Sequence, residues 1–536
     1  MQKLPIGIQS FQDLRTNDYL YVDKTQFIHE LATTGRIYFL SRPRKFGKSL
    51  LVNTMEELFK GNKELFKGLF IYDKWNWDIK YPVLKLDFGK LNYGSSDDLS
   101  DALTELMFAK AKEWDIVLDS SELHGRFGEL LRKIEKKAGQ SVVLLMDEYD
   151  KPIVNYLSNP KKAKENTITL DRFSQVIKAS DNHLHFIFLT GMNKFAVPSA
   201  FSSFNSPNDI TTADDCAAIC GYTQEELETT FSQYIDDSAK KLEQSRSELL
   251  ENMKSWYGGY TWDGWGGKIK VYNPFSALTF FDKQEFSNYW KKTSGSIPAK
   301  ILLKDYSLLE DLFKQTAVSE MTFNGIEAED ISETSFMFQA GYLTITDVQR
   351  INMRHRYFLG IPNQEVRETL TGYMLSAYTK IDGKNLDKIA DTMRKQINNS
   401  DAKGLEKSLK ALYDKIPADL YKKDVFYSFA SEDALYYLVF LAIMSFLGFQ
   451  FQGEIKKDTG KIDCVLTREK LNIVTEIKYE RKKSKKALLD EAIEQINDKK
   501  YYEAYLNKPA VLLAVSFSAG KNKKRLTEIG CRFEKV

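Results

Sequence analysis

Four short apolar runs frame the first 215 residues: Ile-Tyr-Phe-Leu at 37–40, Val-Leu-Lys-Leu-Asp-Phe after Pro82, Val-Val-Leu-Leu-Met at 142–146 and His-Phe-Ile-Phe-Leu at 185–189. Stretches with helical patterning fill the gaps at 49–60, 97–116, 123–138 and 162–180. Strands that are apolar throughout are buried on both faces, and helices between them supply the crossovers of a parallel sheet. Residues 1–215 are therefore expected to form an α/β domain with helices on both faces of the sheet.

At 536 residues the chain is too long for one hydrophobic core, so two to four domains are expected. The pattern turns mainly helical at 216–345, where an aromatic loop, Trp256-Tyr-Gly-Gly-Tyr-Thr-Trp-Asp-Gly, suggests a lid or small subdomain. Residues 346–415 begin with strand-like segments and continue as charged amphipathic helices, read as a connector. A second α/β unit is expected at 416–536: helix 431–447, strands near 449–455, 461–467 and 472–477, helix 485–498 and strand 510–516.

The 76 Lys and Arg nearly cancel the 74 Asp and Glu, so any affinity for nucleic acid must come from local patches. Of the four cysteines, Cys216 and Cys220 make a CxxxC without a second Cys or His pair, which is poor spacing for zinc. The low cysteine count fits a reducing cytoplasm. No leader-like segment opens the chain, and the densest apolar stretch, 434–451, is broken by Ser445 and Gly448. No membrane partner is expected.

The first run leads into Ser41-Arg-Pro-Arg-Lys-Phe-Gly-Lys-Ser49 and then a helix. This is the later half of G-x-x-x-x-G-K-[ST], the phosphate-binding P-loop, with Arg42 in place of the first glycine. Gly47 lets backbone amides approach phosphate, Lys48 reaches the β and γ phosphates, and Ser49 ligates Mg²⁺. Arg42, Arg44 and Lys45 are further candidates for phosphate contacts, and Arg44 is counted with the nucleotide-binding set. The third run ends in Asp147-Glu148. Asp147 is assigned to Mg²⁺ and Glu148 to the attacking water, against the plainer reading of a helix cap and first-turn acid. At the end of the fourth run, Thr190 or Asn193 is a candidate γ-phosphate sensor or a residue satisfying its own loop.

A second constellation lies near the C-terminus: Asp463, then Glu476-Ile-Lys478 thirteen residues on. Alternation along a strand sets Glu476 and Lys478 on one face, and a hairpin would bring Asp463 beside them. Paired carboxylates suit Mg²⁺, with Mn²⁺ as a substitute, and Lys478 suits a water or the phosphate charge. Gln495, on the following helix, is placed at the same site. Glu432 is either a third metal ligand or a first-turn acid. Basic residues gather at Arg481-Lys-Lys-Ser-Lys-Lys486 and at Lys521, Lys523, Lys524 and Arg525, a solvated face or a track for a nucleic-acid backbone.

Pro5-Ile-Gly-Ile-Gln-Ser-Phe, Tyr21-Val-Asp-Lys-Thr25, the Arg42-to-Ser49 loop and Ala218-Ile-Cys-Gly-Tyr-Thr223 together resemble the bacterial AAA-ATPase-like family. Its members typically end in a PD-(D/E)XK nuclease domain, whose signature positions match Asp463, Glu476 and Lys478, with Ile462 where proline often stands. In that family an Arg-Pro-Arg lead-in is usual. The resemblance implies a P-loop, AAA-like ATPase domain, a helical middle region and a C-terminal restriction-endonuclease-like domain. The expected function is ATP binding and hydrolysis that control a Mg²⁺-dependent nuclease, acting on DNA before RNA; a homo-oligomer is compatible with it. Two alternatives stand beside it: an ATP-dependent nucleic-acid-binding regulator with an inactive nuclease fold, and a stand-alone NTPase.

Overall fold

The computed structural model describes residues 1–91, 99–156, 159–192, 207–264, 267–292, 316–319, 333–351, 354–416, 433–457, 460–468, 471–480, 482–506, 509–518 and 528–535. They divide into two compact units, 1–294 with 315–363, and 295–314 with 364–536. The stretch 346–415, expected as a connector, contributes to both.

The first unit is built on a parallel sheet of order β2-β3-β4-β1-β5, with β1 Ile37–Ser41, β2 Val83–Asp87, β3 Val142–Asp147, β4 Leu184–Gly191 and β5 Asn208–Asp209. All six residues of β3 are buried, the condition that an all-apolar strand requires. The expected crossover helices are present as Lys48–Phe59, Leu99–Glu113, Leu123–Ala138 and Pro160–Ala179. Helix Leu123–Ala138 buries Phe127, Leu130, Leu131 and Ile134 against the sheet core and stops at Gly139 in the left-handed region. β5 is only two residues long, too short to leave a periodicity in the sequence.

Beyond the sheet the chain is mostly helical. Helix Gln224–Thr230 opens with a reciprocal capping box between Thr223 and Glu226. Lys24 Nζ donates to Glu226 at 2.5 Å and to the Ala218 carbonyl at 2.8 Å. The Tyr21–Thr25 and Ala218–Thr223 segments therefore clamp each other, a structural role. A three-stranded antiparallel sheet, β6-β8-β7, completes the unit, with β6 Thr316–Ser319, β7 Thr344–Ile351 and β8 Arg354–Gly360.

In the second unit, helices Gln364–Thr379, Gly383–Asn398, Ala402–Tyr413 and Asp433–Phe446 accompany a mixed sheet of order β13-β12-β11-β10-β9. The strands are β9 Gln450–Lys457, β10 Gly460–Arg468, β11 Leu471–Glu480, β12 Ala510–Ser518 and β13 Glu528–Lys535. Only β11 and β12 run parallel, and their crossover is helix Lys485–Lys499. Its Ala492, Ile493 and Ile496 pack on Val465, Val474, Leu512 and Ala514. The sequence gives no sign of β13; its burial alternates weakly, and a Cβ at Gly530 would fall 2.6 Å from both Lys485 Cγ and Ser516 Oγ. Among the described residues no helix is long and apolar enough to cross a membrane.

Candidate functional site

The carboxyl ends of the parallel strands bring the first set of residues together. Pairing sets Ser41 against Gly191 and Asp87 against Asp147, so β1, β4, β3 and β2 end level with one another. Ligands of open parallel sheets bind at this edge, where neighbouring connections diverge.

The loop after β1 is shaped residue by residue. Lys45 and Gly47 both have positive φ, 68° and 97°, which turns successive amides toward one side. A methyl group at Gly47 would meet nothing within 4 Å, so glycine serves the backbone angle and leaves open space in front. Gly47 also offers no side-chain cap to helix Lys48–Phe59. Phe46, between the two turns, is buried and packs edge-on against Tyr260 and Trp262. Pro43 is pressed by Gly341, where a Cβ would lie 2.8 Å from its ring.

Arg42 does not contact the cleft. It is fully buried and donates to the carbonyls of Ser41, Thr211 and Cys216 at 2.9, 2.7 and 3.1 Å. Its guanidinium lies 4.5 Å from the Trp262 ring centroid. Burial pulls its pKa down to about 10, so it remains a cation at neutral pH. Its φ is not among the positive ones, which explains why no glycine is needed there. As a phosphate contact Arg42 is thus withdrawn; it straps the loop to residues 211–216. Lys45 lies 5.3 Å from the Phe275 ring.

Lys48 is the centre of the loop. Its buried ammonium donates to the Arg42 and Pro43 carbonyls at 2.8 and 3.0 Å. Burial lowers its pKa, opposed by the nearby carboxylates of Asp147, Asp150 and Glu148. Asp147 is itself buried, and the Thr190 hydroxyl donates to its Oδ1 at 2.5 Å. Glu148 has φ 53° and pairs with Lys151 at 2.7 Å. Gly89 gives it room, since a Cβ there would fall 2.2 Å from Glu148 Oε2. A small open cleft is lined by Arg44, Lys48, Glu148, Asp150, Lys151, Val154 and Met192. Ser49 is half-buried at the start of the helix.

The second set lies on the mixed sheet. Glu476 is 2% exposed. Lys478 Nζ donates to its Oε1 at 3.0 Å, and Gln495, reaching from helix Lys485–Lys499, bonds both Glu476 and Lys478. In the β10–β11 ladder Cys464 is opposite Thr475; Asp463 directly precedes the one and Glu476 directly follows the other. Glu432 and Asn193 lie outside the described residues, as do Arg481 and the basic residues at 521–525.

Compared with protein-family models, residues 5–201 match the one described as Predicted AAA-ATPase, and residues 431–528 match the PD-(D/E)XK nuclease superfamily. A protein of Azotobacter chroococcum mcd 1, named "Uncharacterized protein in vnfD 5'region", is 36% identical over 527 residues, 96% of each chain. The chain belongs to the predicted AAA-ATPase family.

In this AAA-ATPase-like protein, Lys48 lies near Asp147 and Glu148, as the motif spacing predicts, and the cleft is also lined by Asp150, Lys151 and Met192, which the spacing does not indicate. Asp150 follows two residues after Glu148 on a short turn, and its Oδ2 accepts from the Met192 amide at 3.0 Å. It was visible as an acid, with nothing in the spacing to direct it into the cleft. The basic run after β11 is partly committed within its own unit: Lys483 pairs with Glu491 and Lys485 with Glu406, each at 2.6 Å. Cys216 and Cys220 are both buried thiols.

Proposed function

We propose that this protein is an ATP-hydrolysing switch governing a Mg²⁺-dependent nuclease that cleaves DNA in preference to RNA. The observation that carries the reading is the environment of Lys48: a buried ammonium, gripped by its own loop, facing Asp147, Glu148 and Asp150.

In the P-loop half, the donor set fits a nucleoside triphosphate with its magnesium: open amides at a helix N-terminus, one ammonium, a hydroxyl and a carboxylate. Lys48 would exchange two loop carbonyls for β and γ phosphate oxygens. Ser49 and Asp147 would hold Mg²⁺, which offsets phosphate charge. The Thr190 hydroxyl fixes Asp147 by one oxygen. Glu148 would orient and accept a proton from the attacking water once it parts from Lys151. Arg44 would contact the triphosphate from the cleft rim.

In the nuclease half, Asp463 and Glu476 suit a hard divalent cation, Mg²⁺ or Mn²⁺. The cation supplies an activated water and relieves charge on the scissile phosphate. Lys478 would position that water, and Gln495 keeps Lys478 and Glu476 in mutual register. Glu432 remains a candidate third ligand.

Control is supported by how the loop is buttressed. Phe46 rests on Tyr260 and Trp262. Thr261, between those rings, exchanges bonds with the Thr344 hydroxyl at the root of β7. Two residues earlier, Gly259 lies beneath the Pro362 carbonyl, and Asn363 Nδ2 donates to the Gly258 carbonyl at 2.8 Å. Asn363 is the last residue of the first unit. A shift of the loop on nucleotide binding would reach that junction through packed groups.

A second reading, a nucleic-acid-binding regulator that does not cut, is favoured by one feature: Glu476 Oε1 already serves both Lys478 and Gln495. Incubating plasmid and RNA with the protein in Mg²⁺ or Mn²⁺, with and without ATP, separates the two. ATP-responsive cutting supports the switch; retention of DNA without cutting in either metal supports the regulator.

A further inference from the structure

The exposed end of the β7–β8 hairpin carries arginine on both faces. In that ladder Gln349 lies opposite Arg356, Arg350 opposite His355, and Ile351 opposite Arg354. Side chains alternate along each strand. Arg354 and Arg356 therefore share one face with Gln349 and Ile351, and Arg350 shares the other with His355. All three arginines are exposed.

The base of the arm is anchored. Ile345, Tyr357 and Leu359 are buried, and β6 pairs with β8 as far as Ser319 opposite Arg356. The arginines thus stand on a fixed ribbon.

Three exposed guanidinium groups gather within seven residues at this hairpin end. Several surface cations elsewhere have carboxylate partners: Arg246 with Asp236 at 2.5 Å, Arg532 with Asp490 at 2.7 Å, Lys410 with Asp414 and Lys133 with Asp119 at 2.8 Å. Among the described residues, Arg350, Arg354 and Arg356 have no ion pair. The acid on this ribbon, Asp347, accepts instead from Gln349 at 3.2 Å. Guanidinium groups match phosphate oxygens in pairs and hold their charge at any working pH. Beyond Arg356 only β7 and β8 pair among the described residues, and a two-stranded ribbon fits the major groove of a duplex, between two phosphate walls. Cations on both of its faces answer that geometry; a flat anionic surface would meet only one face.

We propose that the end of the β7–β8 hairpin is a contact for duplex DNA, its three arginines engaging backbone phosphates without sequence preference. The proposal shares the partner class of the proposed function but depends on neither catalytic site.

The test uses the full chain and a labelled random-sequence duplex in EDTA, so that cleavage does not enter, with anisotropy followed across a salt series. Each lost phosphate contact lowers the slope of log K against log salt by about 0.9. Arg350→Ser/Arg354→Ser/Arg356→Ser should reduce the slope by about 2 to 3 and weaken low-salt binding at least ~10-fold. The matching Lys version of all three positions should keep most of the slope. Lys384→Ser/Lys388→Ser/Lys395→Ser, on exposed positions of helix Gly383–Asn398, makes the same change in net charge and should leave the slope within about 1 of the parent. Equal losses in the hairpin and helix variants, or no duplex binding by the parent, would overturn the proposal. So would hairpin-dependent sedimentation with phosphatidylserine vesicles while duplex binding stays intact. Failure of cleavage in Mg²⁺ would leave this result untouched, which separates it from the nuclease reading.

Discussion

The two carboxylate-bearing sites are assembled by opposite means. The N-terminal one is a backbone construction: two positive-φ residues turn the loop, two carbonyls grip Lys48, and buried Phe46 and Arg42 fasten it from behind. The C-terminal one is a side-chain construction, in which Glu476 and Lys478 from one strand meet Gln495 from a helix. A backbone-built site tolerates unusual residues wherever the dihedral angle is ordinary, as Arg42 demonstrates. A side-chain-built site depends on the identity of each group. Substitutions should therefore act differently in the two halves.

The largest effect is expected at Glu476. Glu476→Gln keeps the volume but removes the charge that a divalent ion needs, and should lower metal-dependent cleavage by about 10³-fold or more. ATP affinity, measured by titration calorimetry on the same variant, should stay within about twofold of the parent. Glu148→Gln comes next, slowing phosphate release by about 10²- to 10⁴-fold while nucleotide still binds.

Lys48→Met should weaken ATP binding by roughly 10- to 100-fold, the loss of charge-assisted bonds worth about 1.5–3 kcal/mol. Cleavage should then stop responding to ATP, with the nuclease groups intact. Trp262→Ala sharpens the comparison further, because it removes the loop's aromatic support without touching the cleft. It should reduce the effect of ATP on cleavage by about 5- to 50-fold, more than it reduces ATP affinity.

The smallest effect concerns pH. Burial lowers the Lys48 pKa in the folded chain, so the unfolded state binds the proton more tightly. Stability must therefore rise with pH between the lowered value and the usual lysine value. Thermal melting of Lys48→Met should exceed that of the parent by a few degrees at neutral pH, and the gap should narrow as pH approaches the ordinary lysine pKa. A gap that widens instead would place the lysine in a stabilising ion pair.

How much of this was legible beforehand follows from the same contrast. All-apolar strands betray a parallel sheet, and Val142–Asp147 was readable because burial on both faces leaves no polar position until its last residue. Gly47, Lys48 and Ser49 were readable because backbone geometry forces their types. Arg42 was misjudged as a phosphate candidate, since its burial depends on Thr211, Cys216 and Trp262, far away in sequence. Asp150 escaped for the same reason, its orientation being set by the Met192 amide just past the end of β4. That Glu476, Lys478 and Gln495 meet was legible because strand alternation and one following helix suffice to join them. β13 was hidden by weak alternation and by its distance from any motif.

The most direct test of the central claim is the initial rate of duplex cleavage in Mg²⁺, titrated with ATP, for the parent, Lys48→Met and Glu476→Gln. The rate should change with ATP in the parent, be independent of ATP in Lys48→Met, and be absent in Glu476→Gln. Parent-like cutting by Glu476→Gln, or an unchanged ATP response in Lys48→Met, would contradict it.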